Sequence, residues 1–161
     1  MHSPDRTRYR ATVHYDGSAF AGWQVQPDVR TVQGDIEAAL RRLRIPGRVH
    51  GAGRTDAGVH AAGQELSFDA PPSWTTAELS GALDSLLRSD VWIETLQDTT
   101  PDFHPRFHAT GRRYEYFLAP GRTGRAPNRR HNTSWIARPP NLENLRAAAR
   151  PILGRHSFGR F

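Results

Sequence analysis

The order of two hydrophobic periodicities along the first part of the chain is the feature that most constrains its fold. Apolar residues that alternate with polar ones indicate strands, and apolar residues spaced three and four positions apart indicate helices. The patterns predict strands at 9–15, 48–50, 66–68 and 91–96 and helices at 32–43 and 79–87. Thr31 is expected to begin the first helix, and Thr75 with Glu78 predicts a capping box before the second. This β-α-β-β-α-β order predicts a ferredoxin-like, RRM-like α+β fold, an antiparallel mixed sheet with helices on one face.

The rest of the chain predicts a second, smaller set of elements. Strands at 112–118 and 133–136 flank a loop rich in Gly, Pro and Arg, and Asn141 caps a last helix. Pro151 should kink that helix or end it early, because proline lacks the amide donor and clashes with the preceding turn. The apolar residues expected to face inward are Leu142, Leu145, Ala149 and Ile152. We expect an N-terminal subdomain at 1–105 and the start of a C-terminal subdomain at 106–161.

The segment 51–64 joins two predicted strands and has little side chain to cover its backbone. Four of its fourteen residues are glycine and four are alanine, and its single acid, Asp56, follows Arg54 and Thr55. Glycine lets another molecule approach the backbone closely, and a neighbouring guanidinium favours the ionised carboxylate. The segment therefore indicates an active-site carboxylate. A Gly-rich turn with an ordinary surface ion pair is the alternative interpretation.

Basic residues are concentrated in the last third of the chain. All 22 Lys+Arg residues are Arg; residues 106–161 hold 12 of them against 2 acids, and residues 1–105 hold 10 against 14. Arg contacts phosphates in bidentate fashion and stacks on bases. This distribution favours a nucleic-acid partner, with a solvated basic face as the alternative. The aromatic residues interleaved with the basic ones are Phe107, Tyr114, Tyr116, Phe117 and Trp135.

Several classes of chemistry are excluded by composition or disfavoured by spacing. The absence of Cys and Lys excludes disulfides, thiolate metal sites and a Schiff-base lysine. His104 and His108 have the spacing of a helical metal site, but Pro105 opposes a helix there and no nearby acid completes a ligand set, so we expect no metal. With neither a signal peptide nor a run of about 20 apolar residues, we expect a cytoplasmic protein with no membrane association.

Six short motifs follow one another along nearly the whole chain. They are Y-D-G and G-W-Q within 15–24, T-V-Q at 31–33, A-G-R-T-D-A-G-V-H-A with G-Q at 52–64, D-F-H-P-R-F at 102–107, R-R-Y-E-Y at 112–116, and L-G with H-S-F at 153–158. In this order they resemble the tRNA pseudouridine synthase A (TruA) family, and the match favours the active-site interpretation of Asp56.

The resemblance implies the pseudouridine synthase catalytic fold and isomerisation of uridine to pseudouridine in the tRNA anticodon stem-loop, at tRNA positions 38, 39 and 40. It implies no cofactor, because no electron or group is gained. Asp56 is implied as the nucleophile, attacking either C1′ or uracil C6. The residues implied to bind the tRNA substrate are Arg54, Thr55, Phe103, His104, Arg106, Phe107, Arg112, Arg113 and Tyr114. Among them, Tyr114 is implied to stack on the target uracil. Packing of its ring against the other residues of a strand is the alternative interpretation.

Family members continue well beyond the length of this chain, so we expect a fragment that is incomplete at its C-terminus. The further residues are expected to supply sheet strands, a basic partner for the catalytic acid and much of a homodimer contact. Two other functions stay open. One is a non-catalytic RNA-binding fragment, and the other is an Asp-dependent hydrolase, for which the second carboxylate used in glycoside cleavage is missing.

Overall fold

Four strands and two helices form the first part of the chain in the order that the sequence predicts. The structure, a computed structural model, describes residues 6–121 and 126–157, and it divides into one unit ending at Arg112 and another beginning at Arg113. The elements of the first unit are β1 (Thr7–Tyr15), α1 (Val32–Arg42), β2 (His50–Gly51), β3 (Ala61–Ala70), α2 (Thr76–Leu86) and β4 (Val91–Thr99). The predicted ferredoxin-like α+β fold is confirmed, with β2 beginning two residues later and β3 five residues earlier than predicted.

The sheet has the strand order β2-β3-β1-β4, and every neighbouring pair is antiparallel. Alternate residues of β1 are buried and belong to one core with residues of both helices. Because alternate residues of a strand share one face of the sheet, α1 and α2 must cover the same face. The side chains that form the centre of this core are Tyr9, Ala11, Val13 and Tyr15 of β1, Ile36 and Leu40 of α1, and Leu79 and Leu83 of α2.

Both helices begin at the threonines that the sequence indicates. The Thr31 hydroxyl accepts a hydrogen bond of 3.2 Å from the Gly34 amide. At α2, the Thr75 side chain accepts from the Glu78 amide while the Glu78 carboxylate accepts from the Thr75 amide, which completes the predicted capping box.

Arg30 ties the connection between β1 and α1 to two other parts of the unit. Its guanidinium donates two hydrogen bonds to Asp35, of 2.6 and 2.9 Å, and two to Asp90, of 2.6 and 2.8 Å. The same group lies 4.1 Å from the centre of the Phe20 ring. These contacts stabilise the connection between β1 and α1, which also contacts the candidate active site.

The second unit contains two short strands, β5 (Leu118–Pro120) and β6 (Ser134–Ile136), which pair in parallel, and α3 (Leu142–Ala149). The Asn141 side chain accepts from the amides of Glu143 and Asn144, as a cap should. A 3-10 turn at Arg150–Ile152 follows α3 and contains Pro151, so the helix ends early as predicted. Residues 122–125 of the predicted loop and Phe158 of the H-S-F motif lie outside the described residues.

Two predictions for the second part of the chain are wrong. Residues 112–117 take no regular secondary structure, although a strand was predicted at 112–118, and Tyr114 and Tyr116 are 73% and 86% exposed. Three of the four side chains expected to face inward do not: Leu142 and Leu145 of α3 are 63% and 48% exposed, and Ile152 in the turn after it is 62% exposed, while Ala149 is half-buried. Two strands of three residues are too small a sheet to bury a helix face. Within the described ranges, no helix has the length and apolar character needed to span a membrane.

Candidate active site

Asp56 lies on the connection between β2 and β3, which we call the Asp56 loop (residues 52–60). The carbonyl of Thr55, just before Asp56, accepts a hydrogen bond of 3.0 Å from the Trp23 amide. On the other side, the Gly58 amide donates to the Phe20 carbonyl over 3.2 Å. The Asp56 side chain is exposed between these two anchors. The loop therefore presents a carboxylate to solvent from a backbone that is held on both sides.

Two glycines of the segment after β1 make this anchoring possible. A Cβ atom on Gly17 would lie 2.0 Å from the Val59 carbonyl oxygen. Gly22 has a φ of +102°, and a Cβ atom there would lie 2.7 Å from the Thr55 carbonyl oxygen. Only glycine allows such a close approach. The Y-D-G and G-W-Q motifs accompany the G-R-T-D motif because the two backbones touch.

The Thr55 side chain is also anchored, from beneath the loop. Its hydroxyl lies 2.9 Å from the hydroxyl of Tyr15, the last residue of β1. Tyr15 is 5% exposed, and its ring centre lies 6.1 Å from that of Trp23. Burial raises the pKa of the Tyr15 phenol, although the hydrogen bond to Thr55 opposes the shift. Tyr15 is therefore a neutral hydroxyl at physiological pH and can donate its proton.

Arg54 and Asp56 do not interact with each other. Both side chains are exposed, and no ion pair joins either of them to another residue in the described part of the chain. The sequence suggested that Arg54 would stabilise the acid; here both groups face solvent instead. Each is accessible to an approaching ligand.

The end of the Asp56 loop is held by a histidine that sequence reasoning did not single out. The Nδ1 atom of His60 lies 3.2 Å from the Asp16 carboxylate and 3.3 Å from the Gly17 amide nitrogen. The V-H and Y-D-G motifs contain these residues, but neither spacing nor periodicity connects them. Only the close approach of the two segments does so.

Four of the predicted RNA-binding residues, Phe103, His104, Arg106 and Phe107, lie in a segment that packs beside β1 and β2. The Phe103 carbonyl accepts a hydrogen bond of 2.9 Å from Arg8, and the Phe103 ring lies 5.5 Å from the Arg10 guanidinium. The His104 ring lies 5.3 Å from His50 of β2 and 4.5 Å from the Phe107 ring. Of these aromatic side chains, His104 therefore contacts the strand that leads into the Asp56 loop.

The charges and exposure of this segment suit a polar ligand. Burial is the largest cause that lowers the pKa of His50, followed by the nearby His104 and Arg8. Arg106 is exposed, and Phe107 is 76% exposed. The segment therefore presents a cation and an aromatic face to solvent.

Arg112 contacts the Asp56 loop directly. Its Nη2 atom donates a hydrogen bond of 2.5 Å to the Ala52 carbonyl. Arg113 instead pairs with Glu115 over 2.5 Å, and both side chains are largely exposed. Of the residues predicted to bind substrate, Arg113 and Tyr114 belong to the second unit. The others, Arg54, Thr55, Phe103, His104, Arg106, Phe107 and Arg112, belong to the first.

The residues that sequence reasoning missed are those that support the loop rather than those that face solvent. Tyr15, Trp23 and His60 each contact the loop or form its end. Their motifs were visible in the sequence, and Tyr15 was assigned only to strand packing. The signal that could have found its second role is its position at the end of a strand, directly before a glycine-containing turn.

The fold and the site together define a ferredoxin-like α+β domain that presents an aspartate on an anchored loop. The family model described as tRNA pseudouridine synthase matches residues 11–108, and the chain belongs to this family. The resemblance found in the sequence is thereby confirmed.

Curated relatives carry the same description. The chain is 42% identical over 156 residues to the tRNA pseudouridine synthase A of Latilactobacillus sakei. It is 41% identical to those of Streptococcus pneumoniae and Maridesulfovibrio salexigens, over 157 and 155 residues. Each alignment covers 96% of this chain. The chain spans 62%, 63% and 57% of the lengths of these three relatives, respectively.

Proposed function

We propose that this chain carries the catalytic aspartate of a synthase that isomerises uridine to pseudouridine in the tRNA anticodon stem-loop, at tRNA positions 38, 39 and 40. The observation that carries the proposal is the exposed Asp56 carboxylate on a loop anchored at Thr55 and Gly58. Membership of the tRNA pseudouridine synthase family supports the class of reaction. Asp56 is the nucleophile in this proposal.

The reaction balances without a cofactor. The bond between N1 and C1′ breaks, the uracil turns, and C5 forms a bond to C1′; C5 loses its proton and N1 gains one. A carboxylate can provide covalent catalysis by attacking C1′ or uracil C6. Anchoring the backbone on both sides of Asp56 reduces the entropy lost when that carboxylate meets the substrate. A uridine in a stem must first be flipped out of the duplex.

Residues around the loop have exposure and charge that suit tRNA. Arg54 is exposed beside Asp56 and would fill the space that the flipped base leaves. The exposed Arg106 and Phe107, with Phe103 and His104, would contact the tRNA backbone. The Arg excess at 106–161, which includes Arg112 and Arg113, supports a polyanionic substrate. Tyr114, which is 73% exposed, is proposed to stack on the target uracil.

Tritium release from tRNA labelled at C5 of uridine tests the proposal, because bond formation at C5 releases that hydrogen. In the full-length context of its relatives, the chain should release tritium and leave the strand intact, and Asp56→Asn should abolish release while tRNA affinity stays within a few-fold. Asp84→Asn is the matched control, since Asp84 is an exposed carboxylate on α2; it should leave release unchanged.

The other outcomes identify the other functions. Binding of tRNA without release by the unsubstituted chain would make it a non-catalytic RNA-binding module. Loss of a base or cleavage of the strand would indicate a hydrolase. Substantial turnover in Asp56→Asn would remove Asp56 from the chemistry.

A further inference from the structure

The hydroxyl of Tyr15 contacts two polar side chains, those of Thr55 in the Asp56 loop and of Gln64 in β3. It is buried at the end of β1, and its oxygen lies 2.9 Å from the Thr55 hydroxyl and 3.5 Å from Gln64 Nε2. A buried hydroxyl is costly unless it is hydrogen-bonded. Phenylalanine would fill the same space without that cost, so the hydroxyl calls for an explanation beyond packing.

Two polar groups contact the Tyr15 hydroxyl. An amide nitrogen can only donate, so Gln64 donates to the Tyr15 oxygen. Between the hydroxyls of Tyr15 and Thr55 either oxygen can be the donor. The contact therefore joins the buried ring to the loop whichever of the two hydroxyls donates.

Thr55 is held at two atoms by neighbouring residues of the core. Its carbonyl accepts from the Trp23 amide and its hydroxyl contacts Tyr15, while the rings of Tyr15 and Trp23 are themselves neighbours. Fixing both the backbone and the side chain of one residue leaves its successor few conformations. That successor is Asp56.

We propose that Tyr15 is a positioning residue for catalysis: its buried hydroxyl holds Thr55, so that Asp56 is presented in one orientation. The inference rests on the proposed synthase function for its catalytic part. The loop-holding part concerns the chain alone and is tested without activity.

The test compares Tyr15→Phe with Tyr9→Phe. Tyr9 lies on the same strand, is 2% exposed and donates a hydrogen bond of 2.8 Å to the Trp74 carbonyl, so its substitution removes an equivalent hydroxyl that does not contact the loop. Amide hydrogen exchange is measured at Trp23 and Gly58, whose amides bond to Thr55 and Phe20. We expect about tenfold faster exchange at both amides in Tyr15→Phe, the effect of one lost hydrogen bond, and no local change in Tyr9→Phe.

Thr55→Val provides a second route that leaves the core residue intact. It removes the same hydrogen bond from the loop side, so it should speed exchange at Trp23 and Gly58 to a similar extent. Combined with Tyr15→Phe it should add little, because the two substitutions remove one interaction. Equal exchange at both amides in the Tyr15→Phe and Tyr9→Phe variants, or additive effects of Tyr15→Phe and Thr55→Val, would overturn the proposal.

Single-turnover tritium release tests the catalytic part. Tyr15→Phe should lower the rate of the bound complex about tenfold with an unchanged Kd for tRNA, whereas Tyr9→Phe should change neither. An unchanged rate in Tyr15→Phe would refute a catalytic role even if exchange increases. Absence of release in the full-length context would refute the synthase function, and the exchange data would still decide whether Tyr15 holds the loop.

Discussion

Gly17 and Val59 are in direct backbone contact, so close that a Cβ atom on Gly17 would lie 2.0 Å from the Val59 carbonyl oxygen. Gly17 begins the 3-10 turn that follows β1, and Val59 is near the end of the Asp56 loop. The turn is therefore a support on which the loop rests. A methyl group at Gly17 cannot be accommodated by a side-chain rotation, because the opposing atom is backbone.

Gly17→Ala should lower the free energy of unfolding by about 1–3 kcal/mol, the usual cost of overpacking a tight contact. It should also displace the Asp56 loop and reduce tritium release. Chemical denaturation and the release assay measure the two effects. Gly81→Ala in α2 is the control: its Cβ would meet nothing within 4 Å, and helical Gly→Ala is stabilising by up to about 1 kcal/mol. Similar stability in both variants would contradict the contact.

Arg30→Ala should lower the free energy of unfolding more than Arg41→Ala does. It leaves Asp35 and Asp90 without their hydrogen-bonded partner and exposes the Phe20 face. Hydrogen bonds to charged groups contribute about 1.5–3 kcal/mol. Arg41→Ala is the comparison, because Arg41 is 60% exposed and 4.0 Å from Glu37, a pair that contributes at most about 0.5 kcal/mol. Denaturant midpoints that do not differ would show that the Arg30 contacts carry little energy.

The Asp90 carboxylate should make stability depend on acid pH. The hydrogen bond from Arg30 is the largest cause that lowers the pKa of Asp90 below 3.8. A group whose pKa is lower in the folded state stabilises above its unfolded pKa and loses that contribution as pH falls through the folded pKa. Asp90→Asn should therefore be destabilising at pH 7, and the difference from the unsubstituted chain should shrink below about pH 4.

Denaturation at pH 7 and at pH 3 measures this effect. Asp84→Asn serves as the control because Asp84 is exposed on α2, and it should have little effect at either pH. A destabilisation by Asp90→Asn that stays constant between the two values would contradict the pairing with Arg30.

The sequence predicted the first unit well because its elements have one-sided apolar patterns and explicit caps. The capping box of Thr75 and Glu78 pairs the side chain of each residue with the amide of the other, so the identity and spacing of the two residues are sufficient to find it. The anchoring of the loop could not be predicted, because the hydrogen bond from Trp23 to Thr55 joins backbone atoms and leaves no side-chain signature. The glycines that permit it were visible, but their contacts were not.

In the residues that lead into β5, the sequence pattern predicted a strand that the structure does not form. Tyr114 and Tyr116 alternate with charged residues as strand residues do, yet residues 112–117 form no strand among those described. Alternation describes which way side chains point, whereas a strand also needs a neighbour to pair with. Only the last residue of the predicted strand, Leu118, pairs with Ser134.

Binding of tRNA should weaken steeply with salt, and Arg106→Ala should flatten that dependence. Each phosphate contact releases counterions, so losing one contact should reduce the slope of log K against log salt by about 0.7–0.9. Arg106 is exposed beside the aromatic segment, whereas Arg41 is on α1, and Arg41→Ala should leave the slope unchanged. Affinity measured by filter binding from low to high salt decides this. A slope that is the same in both variants would remove Arg106 from the tRNA contact.

Tyr114 should act through its ring rather than its hydroxyl. Stacking of a base on an aromatic side chain contributes about 1–3 kcal/mol, so Tyr114→Ala should lower turnover far more than Tyr114→Phe, which keeps the ring. Tyr116→Ala is the matched control, because Tyr116 is two residues away and 86% exposed, and the proposal gives it no contact with the target base. Tritium release under single-turnover conditions ranks the three variants. Equally severe losses of tritium release in Tyr114→Ala and Tyr114→Phe would show that the hydroxyl is the group that matters. Equal losses in Tyr114→Ala and Tyr116→Ala would show that neither ring stacks specifically on the target base.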